Sequence, residues 1–258
     1  ILNLSKKAKN KLTEKKLLTL KKKLDLSILL NEKILKSFSR IDFLENQEEF
    51  KKISNLMFKK KNDLITNSNF LIESIEEIVS TEIKNKTLRS KIVDELILLK
   101  IEIENFGLGL GRTQVRLNAN QLNNSISKEI DLKGDPDDPS RKRTYLSEIS
   151  KLIENVKTVK INFGSILEEN MNARKYFMVI KQMLKYIDEN QSIRFLIAEC
   201  DFSLTVMTAL YYSKLFGVEE KVDISPLFET EKGLSSGHNV ISTLLKNSHY
   251  RKLSLIHI

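Results

Sequence analysis

An α-rich α/β fold is predicted by three features of the 258-residue chain. Residues 5–100 hold neither proline nor glycine and place apolar residues three and four apart, the period of a helix with one buried face. At Phe106 the pattern changes, and Thr113, Val115 and Leu117 alternate with Arg112, Gln114, Arg116 and Asn118, the period of a strand. Farther on, two compact apolar runs, SIRFLIAEC and KVDISPLFET, each lead into a helical pattern, the arrangement of parallel βα units.

In chain order, EEFKKISNLMFKKKNDLI, NFLIESIEEIVSTEI and KTLRSKIVDELILLKIEIENF each match the amphipathic helix template, with Asn69 and Thr87 as candidate N-caps. The strand at 113–118 is followed by a helix, ANQLNNSISKEI, and by a loop, KGDPDDPSRKR, marked by its Asp-Pro and Gly content. Helical periodicity resumes in TYLSEISKLIENVKTV and again in SILEENMNARKYFMVIKQMLKYIDEN. After SIRFLIAEC comes the helix SLTVMTALYYSKLFGV with Gly217 placed to end it, and after KVDISPLFET comes HNVISTLLKN.

Composition narrows the function. The net charge of +9 lies wholly in residues 1–40, where twelve Lys and Arg face three acids. Lysines alternate there with Leu12, Leu17, Leu18, Leu20 and Leu24 at helical spacing. Such a segment serves either as a basic helix for phosphate backbones or anionic membranes, or as the solvated face of an amphipathic helix. No aromatic is interleaved to stack bases, which favours the second reading and a protein with neither nucleic-acid nor membrane partners. No apolar stretch has the length of a membrane span, and no signal-peptide pattern is present. The single cysteine, Cys200, cannot form an internal disulfide and suits a reducing, cytoplasmic setting. With no histidine near it in sequence, Cys200 is expected as a small buried apolar group. His238, His249 and His257 have no cysteine or acidic partner at metal spacing.

The glycine-rich stretch FGLGLGRTQVRLN resembles a phosphate cradle at first sight. Gly107, Gly109 and Gly111 fall at every second residue, however, unlike a dinucleotide fingerprint or a P-loop, and no Gly-Lys-Ser/Thr follows. They are expected to bend and closely pack the chain where it enters a strand. In parallel βα folds the site lies at the carboxyl ends of strands, which directs attention to Arg116, to Glu199 through Asp201, and to Glu229. An arginine fork suits phosphate or carboxylate, and a carboxylate beside it is a hard oxygen ligand suited to Mg²⁺ or Mn²⁺. The same residue types also form structural ion pairs, so spacing alone leaves both roles open.

The segment VDISPLFETEKGL, with its proline and the PLFET that ends the apolar run, resembles phosphoenolpyruvate carboxylase. VISTLLKNSHYRKL is similar to that family's LL…YR segment, and FGLGLGRTQVRLN to its strand ending in a substrate-binding arginine. SIRFLIAECDFSLTVMTALYYSKLFGV occupies the place of the strand and helix between them. The resemblance covers about residues 100–253 and implies part of a (β/α)₈ barrel with many added helices. It implies carboxylation of phosphoenolpyruvate by bicarbonate to oxaloacetate and phosphate, with Mg²⁺ or Mn²⁺. Arg116 would then contact the substrate phosphate and Glu229 would be a metal ligand, both counted as catalytic.

Departures accompany the resemblance. Gln114 and Leu117 stand where the commoner pattern has Asp and Gln, and AECDFSLT lacks the usual Ser-Asp pair, as in a divergent bacterial branch. Arg112, Asn118 and Glu199 are left without roles. The family chain is several times longer, with its essential histidine before this stretch and a second metal-binding aspartate and further arginines beyond it. The chain, which begins at Ile1, is therefore expected to be a central fragment, inactive alone and part of a homotetramer when complete. Its expected organisation is a helical region at 1–100, a barrel portion at 101–253 and a non-native tail at 254–258. The competing reading, from another class, is a non-catalytic helical module whose basic N-terminal helix contacts nucleic acid or an acidic partner.

Overall fold

The computed structural model describes residues 1–8, 10–38, 47–84, 91–109, 111 and 113–256. Two compact units divide the chain: Ile1–Gly111 with Met183–Asn190, and Arg112–Gln182 with Gln191–Ile258.

The first unit is helical, built from α1 (Leu2–Lys7), α2 (Lys11–Phe38), α3 (Gln47–Lys60), α4 (Ser68–Lys84) and α5 (Lys91–Phe106). Apolar residues at helical spacing meet in one core, with Leu17 and Leu20 of α2 against Leu71, Ile75 and Ile78 of α4 and Ile92, Val93 and Leu96 of α5. Burying the carboxylate of Glu82 would be costly alone, and the hydroxyl of Thr13 donates to it at 2.8 Å. Part of the lysine excess is paired on this unit, Lys7 with Glu95 and Lys16 with Glu77. The outer surface of α2 is not purely charged, for Leu26, Ile28 and Leu29 are exposed on it. The helix expected through residue 65 ends at Lys60 and tightens into a 3₁₀ turn, Lys61–Asp63. The cap of α4 is Asn67 rather than Asn69: its Oδ1 accepts the Asn69 amide at 2.9 Å. Thr87 lies outside the described residues.

Of the three glycines that mark the chain's change of pattern, Gly107 carries the bend. It follows the last residue of α5 with a φ of +65°. The buried carboxylate of Asp188 accepts the Leu108 amide at 2.7 Å and the Asn190 amide at 3.0 Å. A Cβ at Gly107 would fall 2.4 Å from Asp188 Oδ2, whereas a Cβ at Gly111 would meet nothing within 4 Å. Close packing is therefore confirmed at Gly107 and is lacking at Gly111.

The second unit contains a parallel sheet in the order β1 (Gln114–Asn118), β2 (Ile193–Ala198), β3 (Val222–Pro226). Helices α6 (Ala119–Ile126), α7 (Lys142–Asn155), α8 (Phe163–Glu168) and α9 (Asn172–Tyr186) follow β1, and α10 (Ser203–Leu215) joins β2 to β3. Helices α11 (Glu231–Lys246) and α12 (Ser248–Ile256) come last. Ile193, Phe195 and Ile197 alternate into the core from β2, where Phe177 of α9 stacks on Phe195 with ring centroids 4.6 Å apart. Helix α10 is buried on nearly all sides and packs among α6, α7, α11 and β3. Among its buried hydroxyls, Thr205 donates to Asn123 Oδ1 at 2.9 Å, Thr208 to the Leu204 carbonyl and Ser213 to the Leu210 carbonyl. Gly217 ends α10 as expected, its amide bonding the Lys214 carbonyl and that of Val218 the Ser213 carbonyl.

The α-rich α/β class is thus observed, as a small open sheet of three strands among the described residues. The helices expected through Ile130 and Val159 end four residues early, at Ile126 and Asn155, and two larger expectations change. The run from Ser165 to Asn190 is broken at Glu169, whose backbone is extended and whose side chain accepts the Met171 amide, separating α8 from α9. Helix α11 starts seven residues before His238, because the Thr230 hydroxyl accepts the Gly233 amide and caps it.

Replacing Gly107 with Ala should lower unfolding free energy by about 1–3 kcal/mol, from the left-handed backbone and the clash with Asp188. Urea titration checks this, and the loss should be visible as a lower midpoint at unchanged slope.

Candidate functional site

The parallel sheet sends β1, β2 and β3 in one direction, so their carboxyl ends share one edge. In register, Arg116 lies opposite Leu196 and Asn118 opposite Ala198 across β1 and β2, while Ile197 lies opposite Pro226 across β2 and β3. The ladder continues past β3: the Leu227 amide donates to the Ile197 carbonyl at 2.9 Å and the Cys200 amide to the Leu227 carbonyl at 3.0 Å. Glu229 is thereby carried to the end of β2, where Arg116 reaches it from the other side. Arg116 Nη2 donates to Glu229 Oε1 at 2.8 Å and to Oε2 at 3.0 Å.

Two further residues complete the cluster. The amide of Glu199, first residue beyond β2, donates to Glu229 Oε1 at 3.1 Å. Its side chain turns to β1, where Asn118 Nδ2 donates to Glu199 Oε2 at 2.7 Å. Asn118 also caps α6, its Oδ1 accepting the Asn120 amide at 2.8 Å. Glu199 has a φ of +54°, a left-handed backbone that costs a non-glycine residue on the order of 1 kcal/mol or more. Nothing in the sequence marks that turn, since no glycine or asparagine stands there; the only signal was its position at a strand end. Arg112 and His257 lie outside the described residues.

Arg116 and Glu229, expected from the sequence to share one site, are joined directly in the structure. The arginine is 58% exposed and the carboxylate 38%. An ion pair so open to water contributes no more than about 1 kcal/mol, so little stability is lost when either partner turns to another ligand. An arginine fork facing solvent suits a phosphate or carboxylate dianion. Glu229 offers the hard oxygens that Mg²⁺ or Mn²⁺ takes, but both are engaged by Arg116, and the described residues contain no group of three or more His, Cys, Asp or Glu placed to hold an ion. The donor chemistry fits a cation bound through one carboxylate, with water and substrate oxygens completing its shell.

Cys200 sits beside this edge without taking part in it. It is fully buried, its thiol donates to the Phe202 carbonyl, and burial pushes its pKa up to about 12. Among the described histidines, His238 is exposed and His249 half-buried, and neither joins a metal-binding group. No described helix is long and apolar enough to cross a membrane.

The family model for phosphoenolpyruvate carboxylase matches residues 6–256. No curated protein matches the chain.

At pH 8 a thiol with a pKa of about 12 is ionised in only about one molecule in ten thousand. Native protein should therefore resist a thiolate-specific disulfide reagent and react fully once urea unfolds it. Rapid labelling of the native state would show that Cys200 is neither buried nor neutral.

Proposed function

Since the chain belongs to the phosphoenolpyruvate carboxylase family, we propose that it forms part of an enzyme carboxylating phosphoenolpyruvate with bicarbonate, and that Arg116 and Glu229 work at its substrate site. The observation that carries this reading is the meeting of an exposed arginine fork and an exposed carboxylate at the carboxyl edge of a parallel sheet. The edge is where βα folds place their sites, and the two side chains have opposite ligand preferences suited to one anionic, metal-bound substrate. Three sequential parallel strands are compatible with part of a (β/α)₈ barrel, and the proposal takes them as such.

In the reaction, a bicarbonate oxygen attacks phosphorus and the enol oxygen leaves, giving carboxyphosphate and the enolate of pyruvate. Carboxyphosphate then yields phosphate and CO₂, and the enolate carbon captures CO₂ to form oxaloacetate. Arg116 would exchange Glu229 for the phosphate of phosphoenolpyruvate, turning its guanidinium fork to the phosphoryl oxygens while the P–O electron pair moves onto the leaving enol oxygen. Glu229, released from the arginine, would hold Mg²⁺ or Mn²⁺; that ion supplies electrostatic stabilisation of negative oxygens. The Glu199 amide, at 3.1 Å, would keep the freed carboxylate from swinging away. One arginine and one carboxylate do not make a complete site, so the activity is assigned to a longer chain that supplies the remaining groups.

In the full-length protein, Glu229→Gln should abolish metal-dependent carboxylation while leaving the fold intact, because the amide is nearly isosteric and its oxygen still accepts from the Glu199 amide, while the charge and one of the two bonds from Arg116 are lost. Near-normal turnover at saturating Mg²⁺ would refute the metal role. Arg116→Lys should lower kcat/KM for phosphoenolpyruvate by at least about tenfold, on the order of 1.4 kcal/mol, since a point charge replaces a planar fork. Steady-state kinetics on both variants, with circular dichroism to confirm folding, decides the matter.

A further inference from the structure

We propose that Asp201 is the positioning residue for Glu229, acting through the hydroxyl of Thr230. The functional consequence rests on the carboxylase reading above; the positioning itself does not.

Between Pro226, the end of β3, and Glu231, the start of α11, only four residues intervene, and Glu229 is the third. Such a short link is set by whatever holds its two sides. On one side the Phe228 ring lies against Gly237 of α11, 2.9 Å from where a Cβ would be. On the other, the Thr230 hydroxyl has two duties. It accepts the Gly233 amide at 2.8 Å, capping α11, and it donates its proton to Asp201 Oδ1. A hydroxyl has one donor and two acceptor sites, so the two bonds are compatible and fix its rotamer. Gly233 leaves room for this arrangement, since a Cβ there would stand 2.9 Å from Asp201 Oδ1.

Asp201 and Glu199 belong to the same turn after β2. That turn therefore grips Glu229 twice, directly through the Glu199 amide and indirectly from Asp201 through Thr230. Loss of the Asp201 carboxylate leaves the Thr230 cap of α11 in place, so the helix survives and only the link is freed. This separates positioning from folding. It also gives a physical duty to a residue in AECDFSLT, the segment where the sequence departs from the pattern of the family it resembles.

The test compares crystal structures of the full-length wild type, Asp201→Ala and Asp201→Asn, with Mn²⁺ affinity measured by electron paramagnetic resonance. In Asp201→Ala the Glu229 carboxylate should leave Arg116 while the strands and α11 stay in place, and the Mn²⁺ dissociation constant should rise by about tenfold. Asp201→Asn should restore both, because its amide oxygen still accepts from Thr230. Thr230→Asp keeps an acceptor for the Gly233 amide but removes the proton donated to Asp201, and should displace Glu229 in the same way, which covers the case of an unfolded Asp201→Ala. An unmoved Glu229 in either folded variant, or an Asp201→Asn as impaired as Asp201→Ala, overturns the proposal. A wild type that does not bind Mn²⁺ overturns the carboxylase reading instead, and the crystallographic comparison alone then decides the positioning.

Discussion

Strand β2 makes backbone hydrogen bonds on both edges, to β1 and to β3, and that double pairing determines where every candidate side chain falls. Parallel pairing aligns the three carboxyl ends. Because the ladder runs two bonds beyond β3, through Leu227 and Cys200, Glu229 is delivered over the end of β2 within reach of Arg116. The pairing in turn depends on the apolar surfaces that cover it. Ile193, Phe195 and Ile197 are fully buried, Phe195 stacks under Phe177, and α10 is enclosed on nearly every side. Removing any of these large side chains would cost several kcal/mol, far more than the ion pair contributes.

That contrast defines the division of labour in the second unit. Stability comes from the core beneath the sheet, while the polar edge contributes little to it and is free to exchange partners. Glu199 shows the cost of the arrangement, for a left-handed glutamate is tolerated where its amide meets Glu229 and its carboxylate meets Asn118. A strained residue at a strand end, tied to both neighbouring strands, is what a preorganised edge requires.

Much of this was legible in the sequence where the signal is local. Period-two alternation located β1, and compact apolar runs located β2 and β3, because strand burial writes itself into adjacent residues. The strand-end rule then pointed to Arg116, to Glu199 through Asp201 and to Glu229, and the family resemblance narrowed these to Arg116 and Glu229, 113 residues apart. What escaped was set by side chains far away or by single hydrogen bonds. The Asp188 carboxylate that seats the Gly107 bend is 80 residues from Leu108. The break between α8 and α9 depends on one Glu169 side chain turning back to the backbone, in a segment without glycine or proline. The left-handed turn at Glu199 carries no residue that announces it, and the early start of α11 was hidden by Gly233 and Gly237, which weaken helical periodicity.

The central claim is that the Arg116–Glu229 pair opens to admit an anion on one side and a cation on the other. It is tested most directly by a crystal structure of the full-length protein with phosphoenolpyruvate and Mn²⁺, located by its anomalous scattering. The account predicts a manganese peak within coordination distance of Glu229, the substrate phosphate on the Arg116 guanidinium, and the ion pair broken. An intact pair with substrate and metal bound elsewhere would contradict it.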